Sequence, residues 1–414
     1  MSFAEKFQPA GASHEALLAF LRTARRVDPV FYWAEHDIWV VTRYDDVQKV
    51  LGDAEHFSVQ GNLGVMNNKY CPEARKALSE GIDWNNVPQV NGVEGETHAR
   101  LRKVMQNILT PQRFTDMEGR IRQEVVRLID SFAAEGHCEF IRQFAYPLPV
   151  HVIFAVIGFV AEEEDLAQLQ KWSDDTFSLW LAPMSPERQA ECARHAVQFQ
   201  NYIKAKIADR RANPRDDLLT DFVREVDAGD GRLSEDELTI MFPMNLIGAG
   251  HETTKSALGN ALYHLLSERS RWQALVDDPK GIPLAVEETL RWDGAVFAWY
   301  RTVSSAVEIG GKKLPIGAKV IAAMGSANHD ENKFADADKF CLARGNNPPH
   351  LTFSYGRHFC PGAPLARMEL RIALEELAKR LPNLRLRAGQ DVKYDPSVAT
   401  RTLSHLELEW DRRP

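Results

Sequence analysis

Cysteine is scarce in this chain. Five of 414 residues, Cys71, Cys138, Cys192, Cys341 and Cys360, form an odd, scattered set with no C-x-x-C pair. That argues against a disulfide framework and suits a reducing compartment, so a cytoplasmic protein is expected. Positive charge is not in surplus either. Fifty Lys and Arg against 58 Asp and Glu leave a net charge of −8, which is not the basic excess of a nucleic-acid binder. No apolar run reaches the length of a membrane span. The opening MSFAEKFQPA is polar, so neither a signal peptide nor an anchor is expected. Repeats, low-complexity tracts and Gly/Ser linkers are lacking. What remains is ordinary globular composition, 44% hydrophobic and 26% charged, which excludes a disordered or fibrous chain.

Helical periodicity dominates. Residues 14–25 read as a helix, followed by two short β-branched and aromatic runs, 30–33 and 38–42, that read as paired strands. Residues 43–51 return to helix, and 54–95, rich in Asn, Gly and Pro, read as a long loop. Helices are expected over 95–109, 116–135, 148–158, 163–181 and 186–213. A long one follows over 234–267, opened by the capping box Ser234-Glu-Asp-Glu237 and kinked at Pro243. Residues 281–292 and 362–381 are further helices. Strand-like pieces lie at 297–303, 307–309, 320–324 and 403–410. Strands at both ends predict one shared sheet, hence a single domain, mainly α with a minor β part.

Two segments resemble metal sites without completing them. His251-Glu252-Thr-Thr-Lys255 starts like the zinc motif H-E-x-x-H, but Lys255 replaces the second imidazole. Asp227-Ala-Gly-Asp-Gly231 hints at a calcium loop, yet fixing Gly231 at the turn puts Val226 and Ala228 where carboxylates are required.

The informative segment is Phe353-Ser-Tyr-Gly356-Arg357-His358-Phe359-Cys360-Pro361-Gly362, which delivers a cysteine ahead of a helix. A thiolate there is favoured by free amide groups and the helix dipole, and can serve as nucleophile or metal ligand. Gly356 and Gly362 permit tight turns and close approach of a flat ligand. Phe353 offers it an apolar face, and Arg357 and His358 offer donors. A lone cysteine is more often core filler; the surrounding pattern is what sets this one apart.

The pattern F-x-x-G-x-[HR]-x-C-x-G resembles the haem-binding loop of the bacterial soluble cytochrome P-450 family. Ala249-Gly250-His251-Glu252-Thr253 matches the family's acid-Thr pair, and Glu288-Thr-Leu-Arg291 its E-x-x-R motif. His98 and Arg102 match its propionate-binding pair, and Arg301 the arginine that follows E-x-x-R. The resemblance runs from about residue 28 to the end.

That resemblance implies the cytochrome P-450 fold and a haem-thiolate monooxygenase with Cys360 as metal ligand to haem b. Ala249, Gly250, Phe353, Gly356 and Gly362 would contact the cofactor, and His98, Arg102, Arg301 and His358 would bind its propionates. A thiolate ligand favours O–O cleavage of the co-substrate O2. Thr253 and Glu252 would be the catalytic proton-handling pair, while Glu288 and Arg291 would be structural. Pro361 removes an amide that could have bonded the sulfur. By family position the substrate pocket would include Asn245, Gly248, Val296, Phe297, Ala399 and Thr400, with the loop around Trp84–Val93 and the aromatics Phe177, Trp180 and Trp299. These suggest a small apolar or aromatic substrate, hydroxylated or oxidatively O-demethylated. No nucleic acid and no membrane anchor are implied. With no flavin or iron–sulfur motif following, electrons from NAD(P)H are expected through a separate ferredoxin or flavodoxin-type donor and its reductase. That donor would be steered by basic residues such as Arg100, Arg102, Lys103, Arg357 and Arg367. Competing readings are a peroxide-driven peroxygenase, which would tend to lack the acid-Thr pair, a haem-thiolate ligand sensor without turnover, and a haem-free structural protein.

Overall fold

The two amino-terminal strands pair as their composition predicts. Val30–Trp33 and Ile38–Val41 run antiparallel, with Tyr32 opposite Trp39. The structure is a computed structural model that describes residues 4–60, 70–159, 164–181, 184–344 and 348–412. The secondary structure is mainly helical. The chain divides into two compact units, Met1–Ser58 with Glu118–Leu148 and Thr253–Pro414, and Val59–Met117 with Pro149–Glu252.

The first unit holds the sheets. Ile38–Val41 pairs in parallel with Lys319–Ala322, which pairs antiparallel with Trp299–Val303, and Phe57–Ser58 closes the edge. Side chains of this five-stranded sheet pack with Tyr44, Val47 and Leu51 of the helix Tyr44–Gly52 into one apolar core. The amino-terminal strands thus share a sheet with the later half of the chain, but the tail does not join them. Glu407–Glu409 sits between His137–Glu139 and Arg385–Leu386 in a separate three-stranded sheet. His137–Glu139 is too short and too polar to announce itself as the partner strand.

The second unit is helical. Its core gathers Ala74, Trp84, Leu179, Cys192, Ile240 and Met244. Part of the segment read as loop is helix, Pro72–Leu78, with Pro72 at its first turn and the Cys71 sulfur accepting from the Ala74 amide. Cysteine is an unusual cap, so the start signal is weak in sequence. The long helix expected over 234–267 comes in three parts. Glu235–Met241 opens with the capping box, Phe242–Gly248 is a π-helix, and Ala249–Leu266 continues as α-helix. Pro243, which lacks an N–H, lies in the π stretch, where the regular helical ladder is interrupted.

Candidate active site

The cysteine loop is built on its main chain. The Cys360 amide donates to the Phe353 carbonyl at 2.9 Å and the Phe359 amide to the Gly356 carbonyl at 3.1 Å. Gly356 has φ +72°, and a Cβ there would stand 3.3 Å from the Gly52 Cα. Both the conformation and the close approach require glycine. The turn Gly356–His358 leads to Cys360, which is partly buried, and the helix Ala363–Arg380 begins beyond Gly362. A Cβ on Gly362 would lie 3.8 Å from the Cys360 sulfur. One loop therefore carries Phe353, Gly356, His358, Cys360 and Gly362.

The same loop is braced by a network that the motif does not reveal. Arg367 donates twice to Glu287, at 2.6 and 3.0 Å, and its guanidinium lies 4.6 Å from the Phe353 ring centre. His350 Nε2 stands 3.4 Å from Glu287 and its ring 5.7 Å from Phe353. Burial alone would raise the Glu287 carboxyl, but hydrogen bonds from His350 and Arg367 reverse this and bring it to about 2. Burial pulls the His350 ring down, so Arg367 is the lasting charged partner. The folded state thus keeps the carboxylate ionised well below the ordinary 4.5 of the unfolded chain. Its contribution to stability is full above about 4.5 and disappears as pH falls toward 2. At pH 7, Glu287→Gln is expected to lower stability by about 1.5–3 kcal/mol. Urea midpoints of variant and wild type should converge as the pH drops through that window.

Arg301 lies in the strand Trp299–Val303 and is 1% exposed, with Nη1 donating to the Tyr300 carbonyl at 2.8 Å. Glu288 and Arg291 form a bidentate pair at 2.8 Å on the helix Ile282–Asp293, and Arg291 also donates to the Asn328, Ala337 and Lys339 carbonyls. A third member is Arg344, whose Nε donates to both Glu288 oxygens at 3.2 and 3.0 Å.

The pocket segments of the first unit are joined backbone to backbone. Val296 and Thr400 form an antiparallel bridge, and the Phe297 and Ala298 amides donate to the Ala399 carbonyl at 2.8 and 3.2 Å. The Phe297 ring is buried on Gly325, where a Cβ would meet it at 2.4 Å. Val296 and Thr400 are the half-buried pair. Behind them lies buried Asp293, which accepts from Tyr394 at 2.6 Å and His264 at 3.0 Å, with His14 and Arg401 each at 3.4 Å. Asn260 donates to the Asp293 and Arg401 carbonyls.

In the second unit, His98 and Arg102 stand one turn apart on the helix Gly95–Ile108, and His98 is 4% exposed. Asn245 and Gly248 lie in the π stretch, and a Cβ on Gly248 would meet the Phe177 ring at 2.9 Å. Gly250 faces Ile153, and Ala249 is exposed. Trp84, read as a pocket neighbour, is buried in the apolar core. The Trp180 side chain lies outside the described residues. Glu252 is half-buried and ends this unit; Thr253, also half-buried, begins the other. His251 is fully buried, its Nδ1 donating to the Ile247 carbonyl at 2.9 Å. Its Nε2 stands 3.2 Å from Asp174 and 3.3 Å from Glu252. Asp174 escaped the sequence reading because nothing local links it to a histidine 77 positions away. Lys255, the residue that spoils the zinc motif, instead stands over the Tyr146 ring at 5.6 Å.

The cytochrome P450 family pattern matches residues 11–277 and 282–396. The chain belongs to the cytochrome P450 family. 6-Deoxyerythronolide B hydroxylase of Saccharopolyspora erythraea is 33% identical over 394 residues, covering 95% of each chain. The steroid C26-monooxygenase of Mycobacterium tuberculosis is 36% identical over 310 residues, 75% of this chain and 82% of that enzyme. An intact type IV self-sufficient cytochrome P450 monooxygenase superimposes with a TM-score of 0.92 at 32% identity over all of this chain, which spans 54% of that longer one. This P450 is therefore a haem-dependent oxidoreductase that acts with incorporation of oxygen. Its residues suit a haem. Cys360 offers a soft donor, and Gly362 leaves no side chain beside the sulfur, where a Cβ would lie 3.8 Å away. Arg301, a buried cation, suits a carboxylate. No helix among the described residues is long and apolar enough to cross a membrane.

Proposed function

We propose that this P450 hydroxylates small apolar or aromatic compounds, working as a single haem domain with haem b ligated by Cys360. The observation that carries the reading is the main-chain scaffold of the cysteine loop, which turns at Gly356 and presents the sulfur ahead of the helix Ala363–Arg380. Haem held by a thiolate supplies the power to cleave O2 and attack C–H bonds. His98, Arg102, Arg301 and His358 bind the propionates by charge-assisted hydrogen bonds. Phe353, Gly356 and Gly362, together with Ala249 and Gly250, which lack bulk, would contact the ring. Thr253 holds a water through its hydroxyl, and Glu252 passes protons to it. Asn245, Gly248, Val296, Phe297, Ala399 and Thr400 shape an apolar pocket. The hydroxylase and monooxygenase names of the relatives support hydroxylation over O-demethylation.

Electrons come from NAD(P)H through a ferredoxin or flavodoxin-type donor with its reductase. Exposed Arg357 and Lys103 suit an acidic donor. Arg100 and Arg367 are partly exposed and also pair with Glu237 and Glu287, so they would serve both the fold and the donor. The test is turnover under isotope-labelled dioxygen with NAD(P)H, donor and reductase. One labelled oxygen should enter each product molecule. Unlabelled product formed from peroxide alone would favour the peroxygenase reading, and ligand binding without NAD(P)H use the sensor. Thr253→Ala is expected to reduce product per NAD(P)H about tenfold while hydrogen peroxide accumulates. Unchanged coupling would remove Thr253 from the proton path.

A further inference from the structure

The cluster Asp174, His251 and Glu252 has a geometry that dictates its protonation. His251 Nδ1 faces the Ile247 carbonyl at 2.9 Å, a group that can only accept. Nε2 faces two carboxylates, Asp174 at 3.2 Å and Glu252 at 3.3 Å. Each nitrogen must therefore carry hydrogen, and the ring is an imidazolium. Burial works against that charge, but the Asp174 and Glu252 carboxylates outweigh it and hold the ring at about 9. The charged groups facing it come from two elements, Asp174 from the helix Leu166–Leu181 and Glu252 from the helix Ala249–Leu266. The three side chains also differ in access to water. Asp174 is 36% exposed, His251 1% and Glu252 23%.

We propose that Asp174 and His251 form a proton-entry relay that reloads Glu252, with Asp174 as its solvent end. This rests on the assignment of Glu252 to proton delivery given above. Nε2 gives its proton to the Glu252 carboxylate when that group has passed one on. Asp174, at the wetter end, then takes a proton from water and hands it to the same nitrogen, which returns the ring to the imidazolium and Asp174 to the carboxylate. No electron moves, and one proton enters for each that leaves. Neither residue touches the reacting atoms; both are positioning residues that act through Glu252. Because one nitrogen serves both carboxylates, the ring need not turn between steps, and the Nδ1 bond to Ile247 holds it in register.

Two measurements on the haem-loaded protein test this. In the ferrous carbon-monoxide form, histidine-labelled NMR should show His251 doubly protonated up to about pH 9, and Asp174→Asn should move that titration toward lower pH. In the second, electrons are supplied by photoreduced deazaflavin, so neither substrate nor protein donor is needed. Asp174→Asn and His251→Gln should each slow oxygen consumption about tenfold and change its solvent isotope effect, and Asp174→Glu should restore both. If Glu252→Gln slows the reaction while Asp174→Asn and His251→Gln do not, Glu252 loads directly from water and the relay is wrong. If Glu252→Gln also has no effect, the assignment of Glu252 itself fails. A His251 ring that loses its second proton near pH 6.5, or one zinc ion per chain held by the three side chains, would equally overturn the relay.

Discussion

Replacing Cys360 with serine is expected to abolish the strongly red-shifted, thiolate-type Soret band of the reduced protein under carbon monoxide. Monooxygenase turnover should fall with it. Losing a partner that merely orients a metal ligand costs about 10–100-fold, so losing the ligand itself should exceed about 100-fold. The change can be read cleanly because the loop is held by groups that the substitution leaves in place. The Cys360 amide bond to the Phe353 carbonyl and the Phe359 amide bond to Gly356 are main-chain contacts. Arg367 stays anchored on Glu287 and over Phe353. A wild-type band of the histidine-ligated kind, or an unaltered band in Cys360→Ser, would show that another group holds the iron.

Glu288→Ala should be the most destabilising single change in the first unit. Glu288 is 1% exposed and receives two guanidinium groups, Arg291 and Arg344, together with the Cys341 amide at 2.7 Å. Removing it leaves two like charges side by side, held by main-chain carbonyls. Breaking a buried pair in this way costs about 3–5 kcal/mol, a large part of the 5–15 kcal/mol that separates folded from unfolded proteins. Arg344→Ala should cost less, since Arg344 is 13% exposed and Glu288 keeps its bidentate contact with Arg291. Urea denaturation followed by circular dichroism should rank the variants in that order. A Glu288→Ala protein with an unchanged midpoint would mean that water reaches the cluster and screens it.

These two sites also show what a sequence can and cannot disclose. The cysteine loop, the acid-Thr pair and the Glu288–Arg291 pair were legible because each is compact along the chain, with partners a few residues apart. Arg344 was not, because it meets Glu288 across 56 positions, and Arg367 meets Glu287 across 80. Asp174 and His251 are separated in the same way. The amino-terminal hairpin was legible from its β-branched and aromatic alternation. The destination of the tail strand was not, since its partner His137–Glu139 is three residues long. Pro243 signalled a disturbance of the long helix, but whether that becomes a kink or a π stretch is decided by the surrounding packing. Position along the chain placed Phe297 and the loop around Trp84 near a pocket, but not what their rings touch: Phe297 lies on Gly325 and Trp84 in the core with Leu179.

The bridge between Val296 and Thr400 has an evolutionary corollary. Its hydrogen bonds run between main-chain atoms, and the buried carboxylate of Asp293 behind it gathers Tyr394, His264, His14 and Arg401. The Val296 side chain takes no part in that bridge, whereas the Thr400 hydroxyl donates at 2.9 Å to Ser397 Oγ, which itself accepts from the Ala399 and Thr400 amides and so helps hold the turn. On the pocket lining proposed above, a lineage would trade one chemical diet for another through the side chain at 296, as long as Thr400, Asp293, Arg401 and Asn260 are kept. Innovation and heritable stability are assigned to different atoms of the same few residues.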